Sequence, residues 1–153
     1  MVDEINPRKG QAVLFSYIRY LDPVPLSDEY PKELPLKFSF ILLFTGIAEN
    51  ELLLEHLGRS CNDLTTIKFK DHHQYTVADL ERIQKTFESL PTQKKLLVTT
   101  EKDAMRLNLP EFNSILKTMP VYYIPIEVDF HEPDKQIFDQ LILEYAKKNK
   151  RDR

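Results

Sequence analysis

The chain has 153 residues, 42% of them hydrophobic and 29% charged, which fits one globular domain with its own core. Its 21 Lys and Arg against 24 Asp and Glu give a net charge of -3, so we expect no nucleic-acid partner. The 3 glycines, Gly10, Gly46 and Gly58, lie too far apart to form G-x-x-x-x-G-K-[ST] or G-x-G-x-x-G. This sequence therefore contains neither standard nucleotide-binding loop.

The first 37 residues predict a strand followed by a stiff connector. Residues 13–20 alternate and are rich in aromatic and β-branched side chains, which is typical of a strand. Four prolines in residues 23–35 then predict an extended segment. We expect residues 1–37 to form a linker with one strand and a Pro-rich connector, and residues 38–153 to form an α/β lobe.

Residues 38–69 predict a strand, a helix and a second strand. Residues 38–44 are almost continuously apolar, as in a parallel strand that is covered on both faces. A helix is expected through Leu57, with Gly58 as the residue that ends it in a left-handed conformation. Residues 64–69 are more polar, so this strand is expected nearer the edge of the sheet.

The next segment predicts two helices that begin with capping boxes. Thr76 and Asp79 form the first box, and apolar residues recur at helical spacing behind it. A buried strand is expected at residues 95–99. Thr100 and Asp103 then form a second capping box, which opens a short helix.

The last segment predicts one strand and one helix. Pro125 lies within the strand at 121–126 and favours an edge position or a strand end, because proline has no N–H to donate. The last helix is expected to begin near residues 132–134 and to bury an apolar face. That face consists of Ile137, Phe138, Leu141, Ile142 and Tyr145.

Strands that alternate with helices indicate crossover connections and a parallel sheet. The expected fold class is α/β, with three layers and a mostly parallel sheet of about four strands flanked by helices. In such sheets, ligands bind beyond the carboxyl ends of the strands. Polar residues follow all four predicted strands: Thr45 and Gly46, then Asp71, His72 and His73, then residues 99–103, then Asp129. We expect these residues to share one edge, which is the candidate site.

Each polar group also has a purely structural interpretation. Two histidines beside Asp71 favour acid–base or ligand chemistry, although polar residues also commonly start a helix. Capping alone explains Thr100 and Asp103, which leaves Glu101 and Lys102 as solvated charges. Gly46 serves the turn in either interpretation.

Three motifs in order, F-T-G-I-A at 44–48, K-D-H-H-Q-Y-T at 70–76 and V-T-T-E-K-D-A at 98–104, resemble the C-terminal half of the tetraacyldisaccharide 4′-kinase family. This is the lipid A 4′-kinase family of Gram-negative bacteria. Residues 13–20 are similar to the segment that joins the two halves in that family. The sequence departs from the family at Glu49 and Asn50, where Asn-Pro is frequent.

The resemblance implies a P-loop-kinase or Rossmann-like lobe of a lipid kinase. The enzyme transfers the γ-phosphate of ATP, with Mg²⁺, to the 4′-hydroxyl of a tetraacylated glucosamine disaccharide. ATP and Mg²⁺ are bound mainly by an N-terminal P-loop lobe, which this chain lacks. The expected partners are that lobe, the lipid A precursor and an anionic membrane surface. The full enzyme is expected at the cytoplasmic face of the inner membrane, with this fragment soluble and inactive alone.

The resemblance also implies roles for individual residues. His72, with Asp71, is the catalytic candidate, and His72 acts across an interlobe cleft in an orienting or proton-accepting role. The cleft and ligand-binding candidates are Thr45, Gly46, His73, Thr100, Glu101, Lys102 and Asp103. No metal ligand is expected in this chain.

Two other functions fit the residues. Asp-His-His is typical of a group of metal-dependent phosphoesterases, but these also need an upstream Asp-x-Asp, which is not found, and Asp63 has no suitable partner. A non-catalytic α/β module that binds a partner chain is the third hypothesis.

Overall fold

A computed structural model of the chain describes residues 5–149. In chain order its elements are β1 (Ser16–Tyr20), β2 (Val24–Pro25), β3 (Phe38–Thr45), α1 (Glu51–Gly58), β4 (Cys61–Lys68), α2 (Val77–Glu88), β5 (Lys95–Thr100), α3 (Glu101–Leu107), a 3₁₀ turn (Pro110–Phe112), α4 (Asn113–Leu116), β6 (Val121–Ile124), β7 (Ile126–Phe130) and α5 (Asp134–Asn149). They form two compact units. One is Tyr20–Ile126, and the other combines the residues up to Arg19 with those from Glu127 onward.

The larger unit contains a five-stranded sheet in the order β2-β6-β5-β3-β4. β3 pairs in parallel with β4 and β5, and β5 pairs in parallel with β6. The predicted α/β class with about four parallel strands is confirmed, as is the edge position of β4. The sequence did not predict β2, which pairs antiparallel with β6 and places Pro25 opposite Tyr122. Because β2 is an edge strand, the missing N–H of Pro25 costs no internal ladder bond.

The central strands are buried on both faces, which makes the unit three-layered. Leu42 and Phe44 point into a cluster with α2, α3 and α4, whereas Ile41 and Leu43 point into a cluster with α1. This alternation explains the continuous apolar run of β3, because every residue of a doubly covered strand faces a helix layer or connector. Full burial of each such side chain stabilises the fold by about 1.5–3 kcal/mol.

The structure confirms the predicted start of α2 and contradicts the predicted end of α1. The first capping box is confirmed, since the Thr76 side chain accepts from Asp79 N–H and the Asp79 carboxylate accepts in return from Thr76 N–H. The prediction for Gly58 is wrong. Gly58 is the last residue of α1 and does not adopt a left-handed conformation. The residue that follows the helix, Arg59, is right-handed.

The smaller unit contains the two-stranded sheet β1-β7 and helix α5. Pro125 separates β6 from β7, so the single predicted strand at 121–126 is two strands, and Pro125 lies at a strand end as predicted. Asp129 is therefore a residue of β7. The prediction that it follows the fourth parallel strand at the candidate edge is wrong. Its carboxylate instead accepts a hydrogen bond from Lys135 Nζ at 3.0 Å.

The predicted burial of the apolar face of α5 is also wrong. Its side chains are between 37% and 69% exposed: Ile137, Phe138, Leu141, Ile142 and Tyr145. Phe138 stacks on Phe130 of β7 at 4.6 Å between ring centroids. Helical spacing shows which residues share a face, but burial needs an element that covers the face. Within residues 5–149, no helix combines the length and apolar character needed to cross a bilayer.

Candidate functional site

Thr45 and Gly46, at the end of β3, form a buried part of the candidate site. Thr45 is fully buried, and its Oγ1 accepts a hydrogen bond from Ile47 N–H at 3.3 Å. Gly46 donates its N–H to Asp103 Oδ2 at 3.0 Å. The Gly46 carbonyl accepts from His72 N–H at 3.1 Å and from Arg106 Nη1 at 3.1 Å. Gly46 thus joins the strand end to the loop that follows β4 and to helix α3.

The loop after β4 presents His72 to solvent. His72 has φ of 58°, a left-handed conformation that is uncommon for residues other than glycine. Its N–H is held by Asp71 Oδ1 at 2.9 Å in addition to the Gly46 carbonyl. The imidazole is 73% exposed, and its Nε2 lies 3.6 Å from Asp71 Oδ2. Unusual backbone conformations concentrate at functional sites, so this geometry supports His72 as the residue of interest.

His73 points away from His72 and packs into the domain. Its ring stacks on Phe69 with 4.5 Å between centroids and meets the Tyr75 ring edge-on at 5.1 Å. Its Nε2 lies 3.0 Å from Asp79 Oδ2, and the side chain is 26% exposed. The structure therefore gives His73 contacts that hold the loop against the start of α2.

Two ionisable groups behind the loop have altered pKa values. Burial favours the neutral form of Asp79, but hydrogen bonds from His73 and Thr76 outweigh it, so the pKa of Asp79 is lowered. Burial, followed by the charge of Asp103, raises the pKa of Tyr75. The Tyr75 hydroxyl is buried and has no hydrogen-bond partner within residues 5–149. The hydroxyl lies near enough to Asp103 for that carboxylate to contribute to the shift, but it makes no hydrogen bond of normal length and angle within the described residues.

The start of α3 carries half of the predicted capping box. Thr100 Oγ1 accepts from Asp103 N–H at 3.1 Å, which is the expected cap. Asp103 does not complete the box as predicted. Its Oδ2 accepts from Gly46 N–H and from Thr100 Oγ1 at 2.7 Å, and its Oδ1 pairs with Arg106 at 2.9 Å. Because Asp103 is fully buried, its charge needs these partners.

Arg106 is the site residue that the sequence did not predict. Its Nη1 contacts the Gly46 carbonyl and Asp103 Oδ1, and its Nη2 lies 3.3 Å from His72 Nδ1. The spacing of three residues from Asp103 places both on one side of α3, which is compatible with an ion pair. Nothing in the sequence indicates the contact with His72, which is 34 residues away along the chain.

The remaining predicted site residues near Arg106 and His72 differ in how exposed they are. Thr100 is buried behind it, so its side chain acts as a cap. Lys102 is exposed, with Nζ 4.0 Å from Asp71 Oδ1. Glu101 is exposed in the first turn of α3. The structure thus brings together the polar residues that follow β3, β4 and β5.

The arrangement combines one accessible imidazole with neighbouring cations and a carboxylate. Such groups can orient or exchange a proton with a bound hydroxyl, and they can stabilise negative charge on a phosphate. Among residues 5–149, no group of three or more His, Cys, Asp or Glu side chains is placed to hold a metal ion. Fold and site define an α/β lobe whose polar groups lie at the carboxyl edge of a parallel sheet.

Comparison with known proteins gives this lobe a family. Residues 10–147 match the family described as tetraacyldisaccharide-1-P 4′-kinase. The tetraacyldisaccharide 4′-kinase of Bacteroides thetaiotaomicron is 37% identical, with 96% of this chain and 41% of the relative covered. That of Phocaeicola vulgatus is 39% identical, with 75% and 31% covered. The chain therefore belongs to the tetraacyldisaccharide-1-P 4′-kinase family, and it spans about a third to two fifths of the length of these relatives.

A solved structure supports the fold. LpxK from Aquifex aeolicus, an "apo" form in complex with ATP, superposes with a TM-score of 0.50 at 17% identity. The match covers 90% of this chain and 37% of that one. The family resemblance is confirmed by these comparisons. Family membership also argues against the phosphoesterase hypothesis for Asp71, His72 and His73.

Proposed function

We propose that this chain is the part of a tetraacyldisaccharide 4′-kinase that supplies one wall of the active-site cleft. The reaction is transfer of the ATP γ-phosphate to the 4′-hydroxyl of a tetraacylated glucosamine disaccharide. The observation that carries the proposal is the family match over residues 10–147. The relatives bear the name of this kinase, and the aligned segment is a minor part of their length.

His72 is the residue assigned to the chemistry. Its exposed imidazole at the carboxyl edge is suited to orient the attacking hydroxyl or to accept its proton. Asp71 holds the backbone of His72 through its Oδ1. Lys102 adds positive charge beside Asp71, where substrate oxygens carry negative charge during transfer.

ATP and Mg²⁺ are assigned mainly to a P-loop lobe outside these 153 residues. The chain has 3 dispersed glycines and no glycine-rich phosphate loop, so the phosphate cradle has to come from elsewhere in the protein. From the family match we propose that lobe, the lipid A precursor and an anionic membrane surface as partners. The whole enzyme is proposed to work at the cytoplasmic face of the inner membrane.

A hybrid enzyme tests the proposal. The aligned C-terminal segment of the Bacteroides thetaiotaomicron kinase is replaced by this chain, and transfer of phosphate from γ-labelled ATP to a tetraacylated disaccharide is measured. We expect transfer by the hybrid and none by the 153-residue chain alone. His72→Ala should lower kcat of the hybrid by about 10²–10⁴.

The control is His56→Gln, which changes a half-buried histidine of α1 whose ring centroid lies 4.7 Å from that of Tyr20. It should leave kcat of the folded hybrid within about twofold, since His56 lies outside the polar groups at the carboxyl edge of the sheet. A folded hybrid without any transfer contradicts the proposed function. Unchanged turnover in His72→Ala removes His72 from the mechanism while leaving the family assignment in place.

A further inference from the structure

We propose that Arg106 is a positioning residue that fixes the tautomer of His72, so that the neutral imidazole carries its proton on Nε2. The inference rests on the proposed function only in assigning His72 to the reaction. The contact itself is a property of this lobe. The contact with Arg106 favours the orienting role of His72 over the proton-accepting role, because it makes the exposed Nε2 a hydrogen-bond donor.

Two hydrogen-bond acceptors fix the position of Arg106. Its Nη1 donates to the Gly46 carbonyl at 3.1 Å and to Asp103 Oδ1 at 2.9 Å, and its side chain is 17% exposed. Asp103 is held in turn by Gly46 N–H and by Thr100 Oγ1. The guanidinium is planar, so anchoring one nitrogen at two acceptors also sets the direction of the other N–H groups.

His72 is held on the opposite side of the contact. Its left-handed backbone and the two hydrogen bonds that its N–H donates, to Asp71 Oδ1 and to the Gly46 carbonyl, fix where its side chain leaves the loop. As a result, His72 Nδ1 lies 3.3 Å from Arg106 Nη2. Contacts to the backbone of His72 and to Nη1 of Arg106 therefore impose the geometry of both partners, rather than contacts of the exposed imidazole itself.

The chemistry of the two side chains decides the direction of this hydrogen bond. A guanidinium has only donors and stays protonated in proteins. Nδ1 of His72 must therefore be the acceptor, and in the neutral ring the remaining proton lies on Nε2. The Nε2–H faces solvent and Asp71 Oδ2, which is 3.6 Å away.

The charged groups around the ring come from two elements. Asp71 belongs to the same loop, whereas Arg106, its ion-pair partner Asp103 and Lys102 belong to α3. In this setting His72 donates Nε2–H to an oxygen of the bound substrate. It can accept a proton at Nδ1 only after the contact with Arg106 is broken.

Long-range nitrogen–proton NMR of the ¹⁵N-labelled chain, at a pH where the imidazoles are neutral, tests the tautomer directly. We expect His72 to show protonated Nε2 and unprotonated Nδ1. Arg106→Met should convert this pattern into an exchange-averaged mixture, while Arg59→Met, at the residue that follows α1, should not change it. A wild-type spectrum with the proton on Nδ1, or the same mixture in wild type and Arg106→Met, overturns the proposal.

Arg106→Lys provides a second variant in case Arg106→Met unfolds, since lysine keeps a cation beside the buried Asp103 but lacks the planar fork. We expect Arg106→Lys also to give a mixture of the two His72 tautomers. An unchanged His72 pattern in a folded Arg106→Lys variant contradicts the proposal that the planar guanidinium sets the tautomer. In the hybrid enzyme, Arg106→Lys should lower kcat by about tenfold or more with a smaller change in KM. Because the NMR result does not depend on activity, a failed kinase assay and a failed tautomer assignment remain distinguishable.

Discussion

Replacing Gly46 by alanine tests how closely the end of β3 packs against the loop that carries His72. A Cβ at this position would lie 3.2 Å from Asp103 Oδ1, 3.2 Å from His73 Cβ and 3.3 Å from the Lys70 carbonyl. The carbon–carbon contact with His73 Cβ is shorter than the optimum of about 3.5–4.0 Å, and the two carbon–oxygen contacts are also tight, so the neighbours have to give by a few tenths of an ångström. Gly46 does not adopt a left-handed φ, which means that space rather than backbone freedom requires glycine here.

The expected cost follows from what those neighbours are. The Lys70 carbonyl is loop backbone, and His73 Cβ is fixed to the backbone of the same loop. The third neighbour, Asp103, is a fully buried carboxylate that is paired with Arg106. None is the free end of a flexible side chain. Overpacking of this kind costs about 1–3 kcal/mol, and the lower chain entropy of alanine in the unfolded state offsets about 0.4–1 kcal/mol of it. These ranges leave a net loss of about 0–2.6 kcal/mol, and because none of the three neighbours can swing aside we expect Gly46→Ala to destabilise the chain by about 1–2 kcal/mol.

Urea unfolding measures this loss, and Gly58→Ala is the matched control. A Cβ at Gly58 meets no atom within 4 Å, and Gly58 lies at the end of α1, so alanine should stabilise the chain by about 0.4–1 kcal/mol. With a slope of about 1–3 kcal/mol per molar urea, the two midpoints should move in opposite directions. A Gly46→Ala midpoint equal to or above that of the wild type would refute the close-packing argument.

Three further predictions concern the surroundings of the site. Asp103→Asn should cost about 2–4 kcal/mol in urea unfolding, because it leaves Arg106 without its buried counter-charge, whereas exposed Asp63→Asn should stay within about 0.5 kcal/mol. Tyr75→Phe should change stability by less than about 1 kcal/mol, since it removes an unpartnered hydroxyl; a loss above about 2 kcal/mol would indicate a hidden hydrogen bond. The pKa of Asp79 is lower in the folded than in the unfolded chain, so its stabilisation is present above pH of about 4 and is lost as the pH falls through the folded pKa. The stability difference between wild type and Asp79→Asn should accordingly shrink as the pH falls from about 6 to about 3, and a constant difference would contradict the assignment.

Sequence patterns predict the parts of this fold that depend on residues close together along the chain. The capping box of α2, the apolar runs of β3 and β5 and their alternation with helices are local patterns, and the structure confirms them. Parallel pairing then brings the carboxyl ends of β3, β4 and β5 to one edge. This is why the sequence pattern predicts Gly46 and His72 as neighbours.

Tertiary contacts decided the rest. The edge strand β2 exists because β6 offers it a pairing partner, and proline-rich sequence alone predicts only a connector. The apolar face of α5 is exposed because spacing along a helix cannot tell whether another element covers that face. Likewise, Arg106 contacts His72 because the buried carboxylate of Asp103 binds Nη1 and so orients the guanidinium toward the loop after β4. Each of these features depends on residues far apart in the chain, and a local pattern contains no information about such contacts.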